Sequence, residues 1–435
     1  MLDIKFIRDN QEKVRQAIKN KLSNANLDHI LSLDEQRKKL IMESESVRAR
    51  RNEIAGKLKS DRNEALVAQG RELKDNLGKL ELELAEVESQ WQLILEQIPN
   101  VPVEDVPVGS DESANTVIKH WGEPAKFEFE AKDHMALGES LGIVDMERAA
   151  KVSGARFGFK KGAAAILEWA LIQFVSETLT DKKIIAKIAK QIDPELSANT
   201  FVPVLPPVMI KPDVYTRTGR LSPEDADEKY KMAKDELYLI GSAEHTLVAM
   251  HMDEVLDGKE LPIRYLGFST CFRREAGSYG KDTKGMLRVH QFDKLEMESF
   301  STPETSLLEH KFLVAVQEYL MQQLELPYQV VINCTGDMGK PNARQVDIET
   351  WLPGQNRYRE THSADYMTDY QARGLNIKFR RPDGSNEIVH TNDATAIAMS
   401  RIPIAIFENY QQADGSIKIP KVLQKYTGFK VIEKK

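Results

Sequence analysis

Cysteine is nearly absent: Cys271 and Cys334 are the two in 435 residues, far apart and with no CxxC spacing. That excludes a disulfide framework and a cysteine-rich zinc site, and it fits a reducing compartment. Long apolar runs are missing too. No stretch of about 20 apolar residues could span a bilayer, and the N-terminus MLDIKFIRDNQEKVRQ has no apolar core of the kind a secretory signal needs. The chain therefore reads as soluble, untargeted and cytoplasmic. Positive charge is not in excess: 60 Lys and Arg stand against 67 Asp and Glu, a formal charge of −7. A general coat of basic residues for nucleic acid is excluded, though a local basic patch is not. Proline is absent between residues 30 and 98, which permits long uninterrupted helices there.

What fills that proline-free stretch is a heptad pattern. Leu33, Leu40, Val47 and Ile54 recur every seven residues in a first block. In a second block Leu66, Leu73, Leu80, Val87 and Ile94 hold one heptad position, and Leu77, Leu84, Trp91 and Ile98 another. This is the a/d seam of a coiled coil. A break expected around Gly56–Asn63, with Ser60 and Asp61, turns the two blocks into an antiparallel helical hairpin. Its tip, residues 48–62, sets Arg48, Arg50, Arg51, Lys57, Lys59 and Arg62 against Glu53 and Asp61, a surplus of four positive charges. The simpler reading is a solvated coiled coil that only dimerises. The alternative is a rigid arm whose basic end meets a phosphate backbone.

PNVPVEDVPVGSDESAN follows Ile98 and cannot continue a helix, so a domain boundary is expected there: residues 1–105 for the arm and 106–435 for the rest. Beyond it the pattern is mixed. KKGAAAILEWALIQFVSETLT predicts a buried helix, and YQVVINC, QVDIETWL and LNIKFRR predict strands, so the larger domain is expected to be α+β.

Chemistry-bearing residues concentrate in CFRREAGSYGKDTKGMLRVHQFDKLEMESF, residues 271–300. One strand bearing Arg273 and Glu275, a glycine-containing loop, and a second strand bearing Arg288, Phe292 and Glu296 would make a hairpin able to hold a nucleotide. Arginine offers a planar cationic fork for phosphate, glutamate accepts from an adenine amino group, and a ring stacks on the base. Singly, each is ordinary, and Phe292 alone would read as core.

The whole phrase resembles motif 2 of class II aminoacyl-tRNA synthetases, in the form found in seryl-tRNA synthetases. Further pieces follow in order: KVSGARF at 151–157, FVPVLPPVMI at 201–210 similar to motif 1 with Pro207, LYLIGSAEHTL at 237–247, GDMG at 336–339, and IVHTNDATAIAMSRIPIAIFENYQ at 388–411 similar to motif 3. The hairpin and the proline-rich linker match the same family.

The resemblance implies a catalytic domain built on an antiparallel sheet flanked by helices, in a homodimer joined partly through motif 1. It implies activation of L-serine with ATP and Mg²⁺, then transfer to serine tRNA and, where one exists, selenocysteine tRNA. The arm, with Arg48, Arg50, Arg51, Lys57 and Lys59, would grip the tRNA. By the same match Arg273 bridges the α-phosphate and the serine carboxylate, Glu275 faces the adenine, Phe292 stacks beneath it, Arg401 holds the γ-phosphate and Arg288 is a second phosphate-side arginine. Glu360 and Ser363 match the magnesium positions, Glu296 and Glu244 the ammonium and hydroxyl sides of serine, and Ser242 and Thr395 neighbouring hydroxyl contacts.

The chain also departs from the family. Ser242-Ala243-Glu244 replaces the usual TxE, Asp393 stands where asparagine is usual, Ser400 sits at a usually small position, and Ala364, Asp365 and Tyr366 replace residues near the pocket. These changes bear on amino-acid preference more than on reaction class. Two rivals follow: an enzyme of this fold that loads another small amino acid or another acceptor, and an inactive paralogue that binds RNA. The full-length basic-tipped arm argues against a carrier-protein acceptor, and the retention of Arg273 and Arg401 argues against the second.

Overall fold

Two helices, Leu27–Ser60 and Glu64–Gln97, have 34 residues each and are so about 51 Å long at 1.5 Å per residue. Cross-pairs fix their direction: Arg37 meets Glu88 at 2.9 Å and Arg48 meets Glu81 at 2.9 Å, so a higher number on one helix faces a lower one on the other. The hairpin is antiparallel. Leu33, Leu40, Ile54, Leu77 and Ile98 are buried and the other predicted seam residues are half-buried, so the heptad positions do form the packed stripe.

The break is narrower than expected. Helix continues through Gly56 to Ser60, and Asn63 caps the second helix by accepting from the Ala65 N–H at 2.9 Å. A single helical glycine costs only ~1 kcal/mol relative to alanine, and the Glu53–Lys57 pair at 2.7 Å spans the site. The computed structural model describes residues 1–60, 63–222, 226–275 and 285–434, so Asp61 and Arg62 lie outside the described residues.

The chain divides into two compact units, Met1–Pro99 and Asn100–Lys435. Within the second, the proline-rich segment is bonded from its first residue: the buried Asn100 amide donates to the carbonyls of Pro341 at 2.9 Å and Met367 at 2.8 Å. Further on, Thr335 and Gly336 N–H groups bond the carbonyls of Pro107 and Gly109.

The centre of this unit is an eight-stranded sheet in the order Thr116–Trp121, Tyr328–Ile332, Arg344–Leu352, Arg357–Thr368, His390–Ala398, Gln291–Ser301, Ile263–Phe272, Val202–Val204. Every pairing is antiparallel except that of the last two strands. YQVVINC and QVDIETWL fall on neighbouring strands of it, while LNIKFRR supplies Lys378–Arg380 to a separate three-stranded sheet. The predicted helix is Ala163–Thr180, buried along one side with Trp169 exposed.

Val346, Ile348, Ala364, Ala394, Ala396, Leu295, Met297 and Leu266 point to one face of the sheet, into a core shared with Phe312, Leu313, Val316 and Leu320 of the helix Ser306–Gln323. An ion pair pins that helix down. Fully buried Arg264, on this face, donates to both oxygens of Glu309 at 2.9 and 2.6 Å, to the Asn199 carbonyl at 2.6 Å, and lies 4.0 Å from the Phe312 ring centroid. Ser299 adds a hydrogen bond to Glu309 at 3.0 Å.

Removing one partner of such a pair strands a buried charge, whereas removing both does not. Glu309→Gln should therefore lower stability by about 3–5 kcal/mol in urea unfolding, and the Arg264→Met/Glu309→Leu double variant should lose less than either single change. A double variant less stable than both would refute this account of the pair.

Candidate active site

Alternation along the strands sorts side chains, and register aligns them across strands. Opposite the core face stand Asp347, Ser363, Asp365, Asp393, Thr395, Glu298, Glu296 and Lys294, linked by the pairs Asp347↔Ser363, Asp365↔Asp393, Asp393↔Glu298 and Thr395↔Glu296. Glu360 and Ser363 are an odd number of residues apart and in a regular strand would face opposite ways. A bulge where Ile348/Glu349 pairs with His362/Glu360 inserts Thr361 as an extra residue and returns both to the same face.

Ser242 and the short helix Glu244–Leu247 pack onto this face. Gly267 makes the approach possible, since a Cβ there would lie 2.5 Å from Leu247 Cδ1 and 3.2 Å from Ala243 Cβ. The result is a pocket of buried charge. Lys294 Nζ lies 2.5 Å from Glu296 Oε2 and 3.8 Å from Glu244 Oε2. Ser242 and Thr395 hydroxyls donate to Glu296 Oε2 in long bonds of 3.5 and 3.4 Å.

Burial works to raise Glu244, but Lys294, His245, Arg220 and Arg273 together hold its carboxyl down at about 2. Burial and the charge of Glu244 push Glu296 up to about 7, against the pull of Lys294. Glu298 is driven well above the carboxylate range by burial and by Asp393, and neither of its carboxyl oxygens has a hydrogen-bond partner among the described residues. A small, acid-lined pocket suits an amino acid's ammonium and hydroxyl groups.

Beside it a cavity of about 740 Å³ is walled by Arg288, Arg357, Arg359 and Arg401, with Asp347, Glu349 and Glu360 among its acidic lining. Arg401 precedes the helix Ile402–Asn409, and its guanidinium donates to the Glu360 carbonyl at 2.8 Å. Arg273 Nε donates to the Gly241 carbonyl at 3.1 Å, and its guanidinium lies 5.4 Å from the Phe292 ring centroid. Four arginines around one cavity suit a polyphosphate.

The motif 2 hairpin differs from its expected layout in one respect. Its strands are Ile263–Phe272 and Gln291–Ser301, so Arg273 and Glu275 lie just past the first, and Arg288 lies before the second. Glu275 takes a left-handed backbone, φ +52°, and sits 3.6 Å from Arg288. The registered pairs end earlier, at Phe272↔Gln291, and of these residues Arg288 lines the cavity. The glycine-containing loop, 276–284, lies outside the described residues.

The arm's basic residues lie on the helix Leu27–Ser60 of the first unit. Arg50 and Lys59 are exposed, while Arg48 and Lys57 are exposed but paired with Glu81 and Glu53.

Sequence reasoning missed Lys294 and Arg220. Lys294 was within reach, two residues before Glu296 and so on the same strand face. Arg220 sits in a loop with no periodic signal, yet its guanidinium lies 3.0 Å from Asp365 and 3.3 Å from Asp393, two of the positions where the chain departs from its family.

Family models match both units: a seryl-tRNA synthetase N-terminal domain over residues 1–102 and a class II tRNA synthetase core domain (G, H, P, S and T) over residues 228–410. A serine–tRNA ligase of Thermodesulfovibrio yellowstonii is 42% identical, covering 99% of this chain and 100% of its own. The crystal structure of a seryl-tRNA synthetase from Pyrococcus horikoshii complexed with ATP superposes with a TM-score of 0.89 at 41% identity, over 100% of both chains. A cytoplasmic serine–tRNA ligase from Naegleria fowleri in complex with AMP gives 0.85 at 28% identity, over 100% of this chain and 99% of its own. With a cluster of buried carboxylates beside an arginine-walled cavity, and relatives of this identity along its whole length, the chain belongs to the seryl-tRNA synthetase family.

Proposed function

We propose that this protein activates L-serine with ATP to seryl-adenylate and transfers the seryl group to serine tRNA. The observation that carries the reading is the single polar sheet face: at one end it holds buried carboxylates around a pocket for a small amino acid, and beside this it opens on a cavity walled by arginines.

Adenylation joins two anions, the serine carboxylate and the α-phosphate, so the barrier is chiefly charge and geometry. Glu296 and Glu244 take the substrate ammonium and hydroxyl, with Ser242, Thr395 and Asp393 completing the pocket. This holds the carboxylate toward Arg273. Arg273 bridges that carboxylate and the α-phosphate; a carboxylate oxygen attacks the α-phosphorus, the bond to the β-phosphate breaks, and pyrophosphate leaves with its charge held by Arg288 and Arg401. Phe292 offers its ring to the adenine and Glu275 accepts from the amino group.

Magnesium fits the donors present. Glu360 is exposed in the cavity wall, and Ser363, which donates to Asp365 at 3.2 Å, keeps lone pairs free on the same face. Among the described residues no three His, Cys, Asp or Glu side chains gather as a metal cluster; Mg²⁺ commonly takes one or two protein oxygens and fills its shell with phosphate and water. Bound there, it would neutralise triphosphate charge.

The long hairpin is read as a tRNA-binding arm over residues 1–105, reaching the ribose–phosphate backbone through Arg48, Arg50, Arg51, Lys57 and Lys59, with residues 106–435 as the catalytic domain. Where a selenocysteine tRNA exists, it is the second acceptor in this reading. The active form is a homodimer. Among the described residues no helix is long and apolar enough to cross a membrane, and the two buried, unpaired cysteines suit the cytoplasm.

Arg273→Ala should reduce serine-dependent ATP–pyrophosphate exchange by about 10²-fold or more, because one preorganised charge at the reacting phosphate is worth that much; exchange close to wild type would remove Arg273 from its role. Exchanging Arg48, Arg50 and Arg51 together for glutamine should weaken tRNA charging and flatten its salt dependence while leaving exchange near wild type. Equal loss of both activities would argue against a tRNA-binding arm.

A further inference from the structure

Two of the chain's departures from its family put carboxylates, Asp365 and Asp393, at neighbouring positions on buried strands, where they pair directly in register. Their side chains are 10% and 5% exposed. Two like charges side by side in such a place are costly unless a cation is supplied. Arg220 supplies it: Nη2 reaches Asp365 Oδ2 at 3.0 Å and both oxygens of Asp393 at 3.4 and 3.3 Å.

The loop that delivers this guanidinium is fixed. The fully buried Thr218 hydroxyl donates to the Tyr215 carbonyl at 2.6 Å and accepts from the Arg220 N–H at 3.3 Å. Gly219 has φ +76°, and a Cβ on it would stand 3.1 Å from the Tyr370 ring. The turn therefore has little freedom to carry Arg220 elsewhere.

We propose that Arg220 is a positioning residue of the amino-acid pocket, locking Asp393 so that its carboxyl shares the hydroxyl of serine with Glu244. Asp393 shares a strand face with Thr395 and stands opposite Glu298, two residues along from Glu296, so it borders the same pocket. Its bonds to Arg220 are both long, which leaves oxygen lone pairs to accept from a substrate O–H. An amide in that place offers an N–H₂ as well as a carbonyl and can turn either end toward the ligand. Burial and the neighbouring carboxylates Asp365, Glu244 and Glu296 push the Asp393 carboxyl well above the usual range, and Arg220 is the cation that pulls it back toward the ionised, accepting form. An amino acid without a hydroxyl then leaves a buried carboxylate short of a donor, so alanine and glycine are rejected by the unmade bond.

This rests on serine being the substrate, and the test separates the two claims. Serine-dependent ATP–pyrophosphate exchange is measured for wild type, Arg220→Gln, Arg220→Lys and Arg220→Gln/Asp393→Asn, with alanine exchange and thermal unfolding alongside. A wild type inactive with serine would overturn the substrate reading. With an active wild type, Arg220→Gln should raise the KM for serine about tenfold or more, the size of one lost hydrogen bond to a charged group, with ATP KM and kcat changed much less. Arg220→Lys, which keeps the charge without the fork, should recover part of the loss. The double variant should recover serine KM further and discriminate less against alanine than wild type. If Arg220→Gln does not fold, Arg220→Lys carries the same comparison at smaller amplitude. Serine KM unchanged in the Arg220 variants, or serine KM, ATP KM and kcat all worsening together, would overturn the proposal.

Discussion

A β-strand sends successive side chains to opposite faces, and in a sheet buried on both faces each must be completed by what packs on it. Here one face of the four strands at the sheet's centre is closed by the helix Ser306–Gln323, with Arg264 and Glu309 tied across the contact. The other face is given to charge. Because the first face is apolar and firmly packed, the second can hold Glu296, Asp365, Asp393 and Lys294 without the backbone relaxing around them. Rigidity of this kind is what adenylation needs, since its barrier is mostly a matter of holding two anions in line.

Small irregularities adapt that scaffold to chemistry. The bulge at Thr361 brings Glu360 and Ser363 onto one face, and a second bulge, between Thr395 and Ile397, shifts the phase of the motif 3 strand just past the pocket. Gly267 thins the sheet where the Glu244 helix leans on it. The motif 2 ladder stops at Phe272 and Gln291, with left-handed Glu275 just past one end and cavity-lining Arg288 just before the other. In each case a local departure from regular strand geometry lies beside a residue assigned to substrate.

Charge balance explains why the unusual residues coexist. Asp393 and Asp365 would each be a burden alone in a pocket that already holds Glu244, Glu296 and Glu298. Arg220 answers the two aspartates from a loop, and Lys294 answers Glu296 and Glu244 from the strand itself. Burial still pushes Glu296 and Glu298 upward, so the pocket is poised to gain from an incoming ammonium.

The amino-acid sequence by itself determined the arm, because a heptad repeat is a local, periodic signal and the helices that carry it pack along the stripe it marks: Leu33 to Ile54 and Leu66 to Ile98 lie where spacing put them. It also determined the strands of the catalytic unit wherever period-two alternation ran unbroken, and the family, through long ordered motifs no single residue could carry. The exact end of the first helix was not legible, since Gly56 marks a break only when its neighbours do not hold the helix. Nor was the placement of Arg273, Glu275 and Arg288 beyond the strand ends, because a left-handed residue or a bulge leaves no periodic trace. The partnership of Arg220 with Asp365 and Asp393 was decided by tertiary structure alone. Those residues are 145 and 173 positions from it in sequence, and Coulomb attraction depends on the distance between charges in space, which no local pattern records.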